Sequence, residues 1–282
     1  MKAIVIGAGR VGTSFAYLLQ KKDIDVLGVY NKHYDSAKKA VNNIETGKPY
    51  RWQQLKEEVN KANLLIFTTP DDVIKDMYHK LDIDNDQYIM HMSGILSSSI
   101  FKNNNNNGLF SMHPLQSVAS FSEGIKVLPE TLFTIEGNDR GINFAKKLVE
   151  LLDVDYKIID TKYKPLYHAS AVIASNYLVT LLNGSYRLLE EANLSDRDIH
   201  KGILNLVRGT LNNIEKMGVE SALTGPICRG DKKTIKIHQE AIRQFAPQYY
   251  EMYQILGKYT LELVNGNGIK KLFDNKGYEN KN

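Results

Sequence analysis

Cysteine is nearly absent: Cys228 stands alone among 282 residues. A single thiol excludes an internal disulfide and fits a reducing cytoplasm. No Cys/His cluster has zinc-ligand spacing, so no metal is expected. Long apolar runs are also missing. No stretch approaches the roughly 20 residues of a membrane span, so a helical anchor is excluded. Charge of one sign is in short supply: 36 Lys and Arg face 32 Asp and Glu, a net +4. The cations are scattered, with no basic stripe interleaved with aromatics, so nucleic acid is not an expected partner. The mild excess suits anionic small ligands. The first apolar strand begins at residue 2 or 3, which leaves no room for a signal or transit peptide and favours a cytoplasmic location. Hydrophobic content of 43% and charged content of 24% are ordinary for a soluble globular chain, long enough for two modest domains.

What is present begins at once. Ala3-Ile4-Val5-Ile6 runs into Gly7-Ala8-Gly9-Arg10-Val11-Gly12. A helical apolar pattern follows at Phe15, Ala16, Leu18 and Leu19. A second apolar run then ends at Asn31-Lys32-His33. Strand, glycine turn, helix and strand in this order form the dinucleotide-binding βαβ unit. Gly7 permits the tight turn, Gly9 admits the pyrophosphate, and Gly12 lets the helix lie on the strand. The helix N-terminus offers N–H groups to phosphate at Arg10 and Val11. The second strand's end selects the cofactor. NAD sites carry Asp or Glu there, whereas Asn31 with Lys32 and His33 accepts a 2′-phosphate, so NADP is expected. Asn31 alone can still hold a diol, so NAD stays open.

Strands alternate with helices to about residue 160, through Leu64–Phe67, Tyr88–Met92, Leu109–Met112, Thr131–Ile135 and Tyr156–Ile159. This predicts an α/β doubly wound parallel sheet. Ligands bind beyond the carboxyl ends of such strands. That edge collects the glycine turn, Asn31–His33, Thr69-Pro70, Ser93-Gly94 and His113. From Lys162 the pattern turns helical: residues 165–192, a helix starting at Ser195, and residues 234–264, separated by a Gly/Pro-broken segment around Gly225-Pro226. The expected domains are therefore 1–160 for the dinucleotide and 161–282, all helical, for substrate and dimerisation. Asn103–Asn107 reads as an exposed loop tip and the last eight or so residues as a frayed tail.

Several side chains are suited to chemistry. His168 lies just inside the first long helix, and Asn176 follows eight residues later, about two turns on. A His there can donate a proton to a carbonyl oxygen, and Asn176 can orient a hydroxyl. A capping His and a satisfied buried Asn fit the same spacing. His113, fixed by Pro114, is a candidate substrate contact or a local turn residue. Ser93-Gly94 has the small residues that a close approach of nicotinamide or substrate requires, or forms a plain turn. Thr224 and Arg229 sit in a shaped loop, where Arg229 can fork onto a carboxylate or pair with Asp231. Cys228 reads as a small buried residue.

Taken together, Gly7–Gly12, Thr69-Pro70-Asp71-Asp72, His91-Met92-Ser93-Gly94, His113-Pro114-Leu115-Gln116, Tyr167-His168-Ala169 with Asn176, and Leu223-Thr224-Gly225-Pro226 with Arg229-Gly230-Asp231 resemble one group. It is that of bacterial Rossmann-like proteins with a helical C-terminal domain, relatives of pyrroline-5-carboxylate, 6-phosphogluconate and ketopantoate reductases. One branch acts as an alternative ketopantoate reductase. The resemblance implies an NADP-dependent oxidoreductase of pantothenate biosynthesis, reducing 2-dehydropantoate to pantoate, with a small carboxylate substrate and a homodimer. The usual ketopantoate reductases place a catalytic Lys early in the long helix, with Asn one and two turns on. Setting Asn176 against the later Asn puts His168 in the Lys slot and Val172 in that of the nearer Asn. Lys164 is then the fallback donor. An imine reductase of the pyrroline-5-carboxylate type and a non-catalytic NADP-binding sensor are the alternatives.

Overall fold

Alternation along β1 (Lys2–Ile6) explains the layering of the first half. Ala3 and Val5 join one buried cluster, with Phe15, Leu19 and Leu148, while Ile4 and Ile6 join another, with Leu55, Phe67 and Tyr78. A strand buried on both faces needs a helical layer on each side. The computed structural model describes residues 1–101, 106–264 and 267–273. It contains two compact units, Met1–Ser175 and Asn176–Asn282.

The first unit is built on β1, β2 (Asp25–Tyr30), β3 (Lys48–Tyr50), β4 (Leu64–Phe67), β5 (Tyr88–His91), β6 (Gly108–Pro114), β7 (Phe133–Gly137) and β8 (Tyr156–Ile158). Their order in the sheet is β3-β2-β1-β4-β5-β6-β7-β8. The order reverses between β1 and β4, where open α/β sheets hold their ligands. Around the sheet lie α1 (Arg10–Lys21), α2 (Tyr34–Ile44), α3 (Trp52–Glu58), α4 (Asp71–His79), α5 (Phe121–Val127), α6 (Asp139–Leu152) and α7 (Lys164–Val172).

Three details differ from the expected pattern. β7 runs antiparallel to β6, so the sheet is mostly rather than wholly parallel. β3 went unread because Lys48-Pro49-Tyr50 is short, contains proline and carries no apolar run; it pairs through Gly28–Tyr30. The unit also extends past residue 160 to Ser175. The physical reason is Lys164, which is 1% exposed and bonded to the Ser93 carbonyl just past β5, to Ser111 of β6 and to Glu136 of β7.

The second unit contains α8 (Leu178–Glu191), α9 (Asp196–Met217), α10 (Val219–Ala222), α11 (Lys232–Phe245) and α12 (Tyr250–Leu263). Ser195 caps α9, its hydroxyl accepting from the Asp198 amide at 3.3 Å, a cap worth about 1 kcal/mol. Two expected helices are interrupted. A π-helical turn, Ile173–Tyr177, joins α7 to α8, so the stretch from His168 to Asn176 is not two regular α-turns. Residues 234–264 break at Ala246, because Pro247 cannot continue the ladder. The core cluster of this unit is small, comprising Ile235, Leu261, Ile269 and Phe273.

Of the expected Asn103–Asn107 tip, residues 103–105 lie outside the described residues, as does the expected C-terminal tail. Asn107 is buried rather than exposed: its side-chain oxygen accepts from the Gln87 amide at 3.0 Å. Cys228 is exposed rather than buried. Among the described residues, no helix is long and apolar enough to cross a membrane, and no group of His, Cys, Asp and Glu could hold a metal.

Candidate functional site

The glycine turn joins β1 to α1 at the switch point. Gly7 has φ +123°, and its amide donates to the Tyr30 carbonyl at 2.8 Å. A Cβ on Gly7 would lie 2.6 Å from the backbone carbon of Thr68. One on Gly12 would lie 2.1 Å from the Thr68 hydroxyl and 2.5 Å from the Gly7 carbonyl oxygen. Thr68 Oγ1 donates to that carbonyl at 2.8 Å, fastening the turn to the end of β4. Gly9 is different: a Cβ there would meet nothing within 4 Å. It is the N-cap of α1 and offers no side-chain cap, and the first turn carries no acidic residue. The leading amides, at Arg10, Val11 and Gly12, therefore face an open space with a positive dipole end. Next to them, Thr69 Oγ1 is buried with no partner among the described residues, and Pro70 stands at the N-cap position of α4 without capping it. Open space, uncapped amides and an orphaned hydroxyl together fit a dinucleotide pyrophosphate.

At the end of β2, Asn31 Oδ1 accepts from the Ala8 amide at 3.4 Å, and its Nδ2 donates to the His33 carbonyl at 3.3 Å. Asn31 thus braces the glycine turn. Lys32 and His33 are exposed beside it. The sequence reading missed Arg51, which follows β3 and whose guanidinium lies 4.1 Å from the centre of the Tyr34 ring. β3 pairs with β2 at Tyr30↔Tyr50, so Arg51 reaches the same strand-end edge. The signal for it was hidden along with β3 itself.

A second cluster lies beyond β5 and β6. A Cβ on Gly94 would sit 2.6 Å from His168 Cδ2 and 2.8 Å from His113 Nε2. The two imidazoles stand edge to face, with centroids 6.2 Å apart. His113 Nδ1 shares a 2.8 Å hydrogen bond with the Tyr167 hydroxyl. Burial, then the nearby His168 and Lys164 charges, lowers His113 to a pKa of about 4, so it is neutral at pH 7. The Ser93 hydroxyl is already committed. It donates to Asp71 Oδ2 at 2.7 Å and accepts from the Ile95 and Leu96 amides at 3.2 and 3.0 Å. Its part is to shape the turn that presents Gly94.

Beneath this cluster, Lys164 Nζ donates to Ser93 O at 3.2 Å, to Ser111 Oγ at 2.5 Å and to Glu136 Oε1 at 3.3 Å. Its three donors are thereby spent. The Lys164 and Glu136 side chains are 2% and 3% exposed. Burial alone would raise Glu136, but the Lys164 ammonium and the Ser98 donors hold it below the usual carboxylate range. Burial draws Lys164 down against the pull of Glu136. Lys164 thus belongs to a closed ion pair, which sets it apart from the fallback-donor role expected for it.

His91 is fully buried, with Nδ1 accepting from the Ser93 amide at 3.2 Å. Burial and Lys164 bring its pKa to about 4. Both His91 and His113 fold with pKa values below the ordinary 6.5, so acid favours the unfolded chain, which binds the protons. Their contribution is complete above pH 6.5 and is lost as the pH falls towards 4. Urea unfolding is expected to show a loss on the order of 3 kcal/mol between pH 7 and pH 5. His113→Gln should remove roughly half of that dependence.

Three other expected site residues lie in the second unit. Asn176 is exposed within the π turn, and its carbonyl accepts from Thr180 Oγ1 at 3.3 Å. Thr224 is exposed, one residue past the Leu223 C-cap of α10. Arg229 is exposed, and no ion pair of its guanidinium is found among the described residues. Asp231 caps α11 instead, accepting from the Thr234 amide at 3.1 Å and its hydroxyl at 2.7 Å.

Residues 1–114 match a Rossmann-like domain, and residues 131–260 match a domain of unknown function, DUF2520. No curated protein matches the chain by sequence. Among solved structures, a Thermotoga maritima protein is 26% identical, with a TM-score of 0.73 over 93% of this chain and 98% of that one. The 1-pyrroline-5-carboxylate reductase of Streptococcus pyogenes is 14% identical, with a TM-score of 0.65 over 93% and 97%. A reductive aminase from Aspergillus terreus, in complex with NADPH and ethyl-5-oxohexanoate, is 14% identical, with a TM-score of 0.65 over 96% and 97%. At these identities the two enzymes share the fold of the chain.

Proposed function

We propose that this chain, a Rossmann-like domain followed by a DUF2520 domain, is an NADPH-dependent reductase of a small 2-oxo acid, with 2-dehydropantoate, reduced to pantoate, as the favoured substrate. The observation that carries the reading is the meeting of His113 and His168 at Gly94, on the strand-end edge that also holds the glycine turn. The cofactor supplies hydride to the carbonyl carbon when bound. The residues of the chain do the rest. Gly9 and the amides of Arg10, Val11 and Gly12 hold the pyrophosphate. Asn31, Lys32, His33 and Arg51 hold the adenosine end. Thr69 and Pro70 line the crevice between. His168 gives its proton to the oxygen as the C=O bond becomes C–OH, leaving a neutral imidazole that solvent reprotonates. Neutral His113, fixed by Tyr167, orients the substrate, as does the turn at Ser93. On the second unit, Arg229, exposed and without an ion pair among the described residues, is suited to a carboxylate. The folds of pyrroline-5-carboxylate reductase and reductive aminase favour an imine as the second reading, since an iminium carries its own proton. NADPH oxidation against a panel of 2-oxo acids and cyclic imines separates the two. Turnover of imines alone would replace the first reading with the second.

NADPH is expected to bind more tightly than NADH. Lys32→Ala and Arg51→Ala should each weaken NADPH by about 1–3 kcal/mol and leave NADH nearly unchanged. Fluorescence titration of both cofactors checks this, and equal affinities would remove the NADP assignment.

A homodimer is expected through the second unit. Its core cluster is small, while Val179, Leu206, Phe245 and Tyr259 are exposed. Apolar surface on that scale marks an interaction site, and a two-fold pair is the commonest answer. Sedimentation velocity at micromolar concentration should give about twice the mass of the chain. A monomer alone would contradict it.

A further inference from the structure

We propose that Lys164, gripped by Glu136, is a positioning residue that turns the Ser93–Gly94 peptide so that the Gly94 amide offers a hydrogen bond to a carboxylate or carbonyl oxygen of the substrate. The inference rests on the reductase reading and adds a substrate contact to it.

The geometry starts from the peptide plane. Among the described residues no peptide bond is cis, so the Ser93 carbonyl and the Gly94 N–H point in opposite directions. Lys164 Nζ holds that carbonyl at 3.2 Å from the buried side. The Gly94 N–H is thereby directed away from the ion pair. No described residue accepts from it. Gly94 itself lies against His113 and His168, where a Cβ would touch both rings. A free amide beside two imidazoles, one of them held neutral, forms a donor cluster for an anionic or polarised oxygen. The Ser93 hydroxyl cannot serve there, because its donor and both acceptor sites are in use.

Glu136 is what makes the lysine rigid. Its Oε1 accepts from Lys164 and from the Ser98 amide at 2.7 Å. Its Oε2 accepts from Ser98 Oγ at 3.0 Å and Thr161 Oγ1 at 3.1 Å. A carboxylate held by four donors does not swing, so neither does the ammonium it pairs with. A lysine with all three protons placed in this way is suited to holding backbone and unsuited to delivering a proton.

The test uses the full chain. Breaking one side of a buried pair endangers folding, so the main variant is Lys164→Met/Glu136→Gln, which removes both charges together. Circular dichroism and NADPH titration should show a folded protein with cofactor affinity near wild type. KM for the 2-oxo acid should rise about tenfold or more, the loss of one hydrogen bond to a charged group. kcat should stay near wild type, because His168 remains. A wild-type KM would overturn the proposal. So would a kcat reduced by about 10²-fold or more, because Lys164 would then be the acid. If the double variant does not fold, Glu136→Gln alone should raise KM by several-fold, and an unchanged KM overturns the proposal equally. A readout independent of turnover uses protein labelled with ¹⁵N-glycine and loaded with NADPH. Oxalate should shift the Gly94 amide resonance in the wild type and leave it in place in the variant. If the wild type turns over neither 2-oxo acids nor imines but the Gly94 resonance still responds to oxalate, the reductase reading fails while the clamp stands. If the Gly94 resonance does not respond in an active wild type, the clamp fails alone.

Discussion

Gly7→Ala is expected to abolish NADPH binding and to destabilise the fold by about 2–4 kcal/mol. Two costs act together. The backbone at φ +123° is a conformation that alanine resists. The added methyl would also stand 2.6 Å from a backbone carbon of Thr68, which cannot move without shifting the end of β4. Gly9→Ala separates structure from binding. Gly9 has φ −76° and open space where its Cβ would go, so urea unfolding should stay within about 0.5 kcal/mol of wild type. NADPH affinity should nonetheless fall, because the methyl would enter the space in front of the α1 amides. If Gly9→Ala binds NADPH as tightly as wild type, the glycine turn is structural only and the pyrophosphate lies elsewhere.

That contrast also marks where the sequence could be read. Gly7, Gly9 and Gly12 announce a strand-to-helix turn because each spacing answers a separate steric demand, and the structure gives Gly7 and Gly12 the close contacts that demand requires. Strands such as Leu64–Phe67 were legible because burial on both faces demands an unbroken apolar run. β3 was not, since three residues with a proline carry no periodicity. Losing β3 also hid Arg51. The antiparallel β7 was unreadable for another reason: strand direction depends on the path of the connection, and Thr131–Ile135 has the same composition either way. His113 and His168 stand far apart in the chain, and only the sheet brings them together. Lys164, one turn before His168 on the helix, is offered by the family resemblance only as a fallback acid. Its partner, Glu136, is 28 residues away on β7, and no local pattern links a strand glutamate to a helix lysine. Buried ion pairs of this kind are tertiary facts.

His168→Ala is expected to lower turnover by about 10²–10⁴-fold while NADPH affinity stays near wild type. Among the groups around Gly94, His168 is the one with a proton to give. Reduction of a carbonyl leaves an alkoxide that must take a proton. Lys164 has no free proton, since Ser93, Ser111 and Glu136 hold all three. His113, with a pKa of about 4, is neutral over the working range and is tied through Nδ1 to Tyr167. Tyr167 is held in that same bond, and burial raises its pKa further. His168 makes no described hydrogen bond and is only half-buried, so its ring is free to turn and to exchange its proton with water. His168→Ala should therefore remove the proton donor and the rate that depends on it. His168→Gln, which keeps a hydrogen bond but cannot donate a proton in this range, should be nearly as slow as the alanine variant. The measurement is kcat for the three proteins, with NADPH dissociation constants taken separately. A fewfold loss in His168→Ala on a 2-oxo acid would mean that water reaches the alkoxide directly. On an imine the same small loss is the expected result, because the nitrogen arrives protonated. The histidine variant therefore tests the proton donor and, by its size on each substrate, the choice between carbonyl and imine.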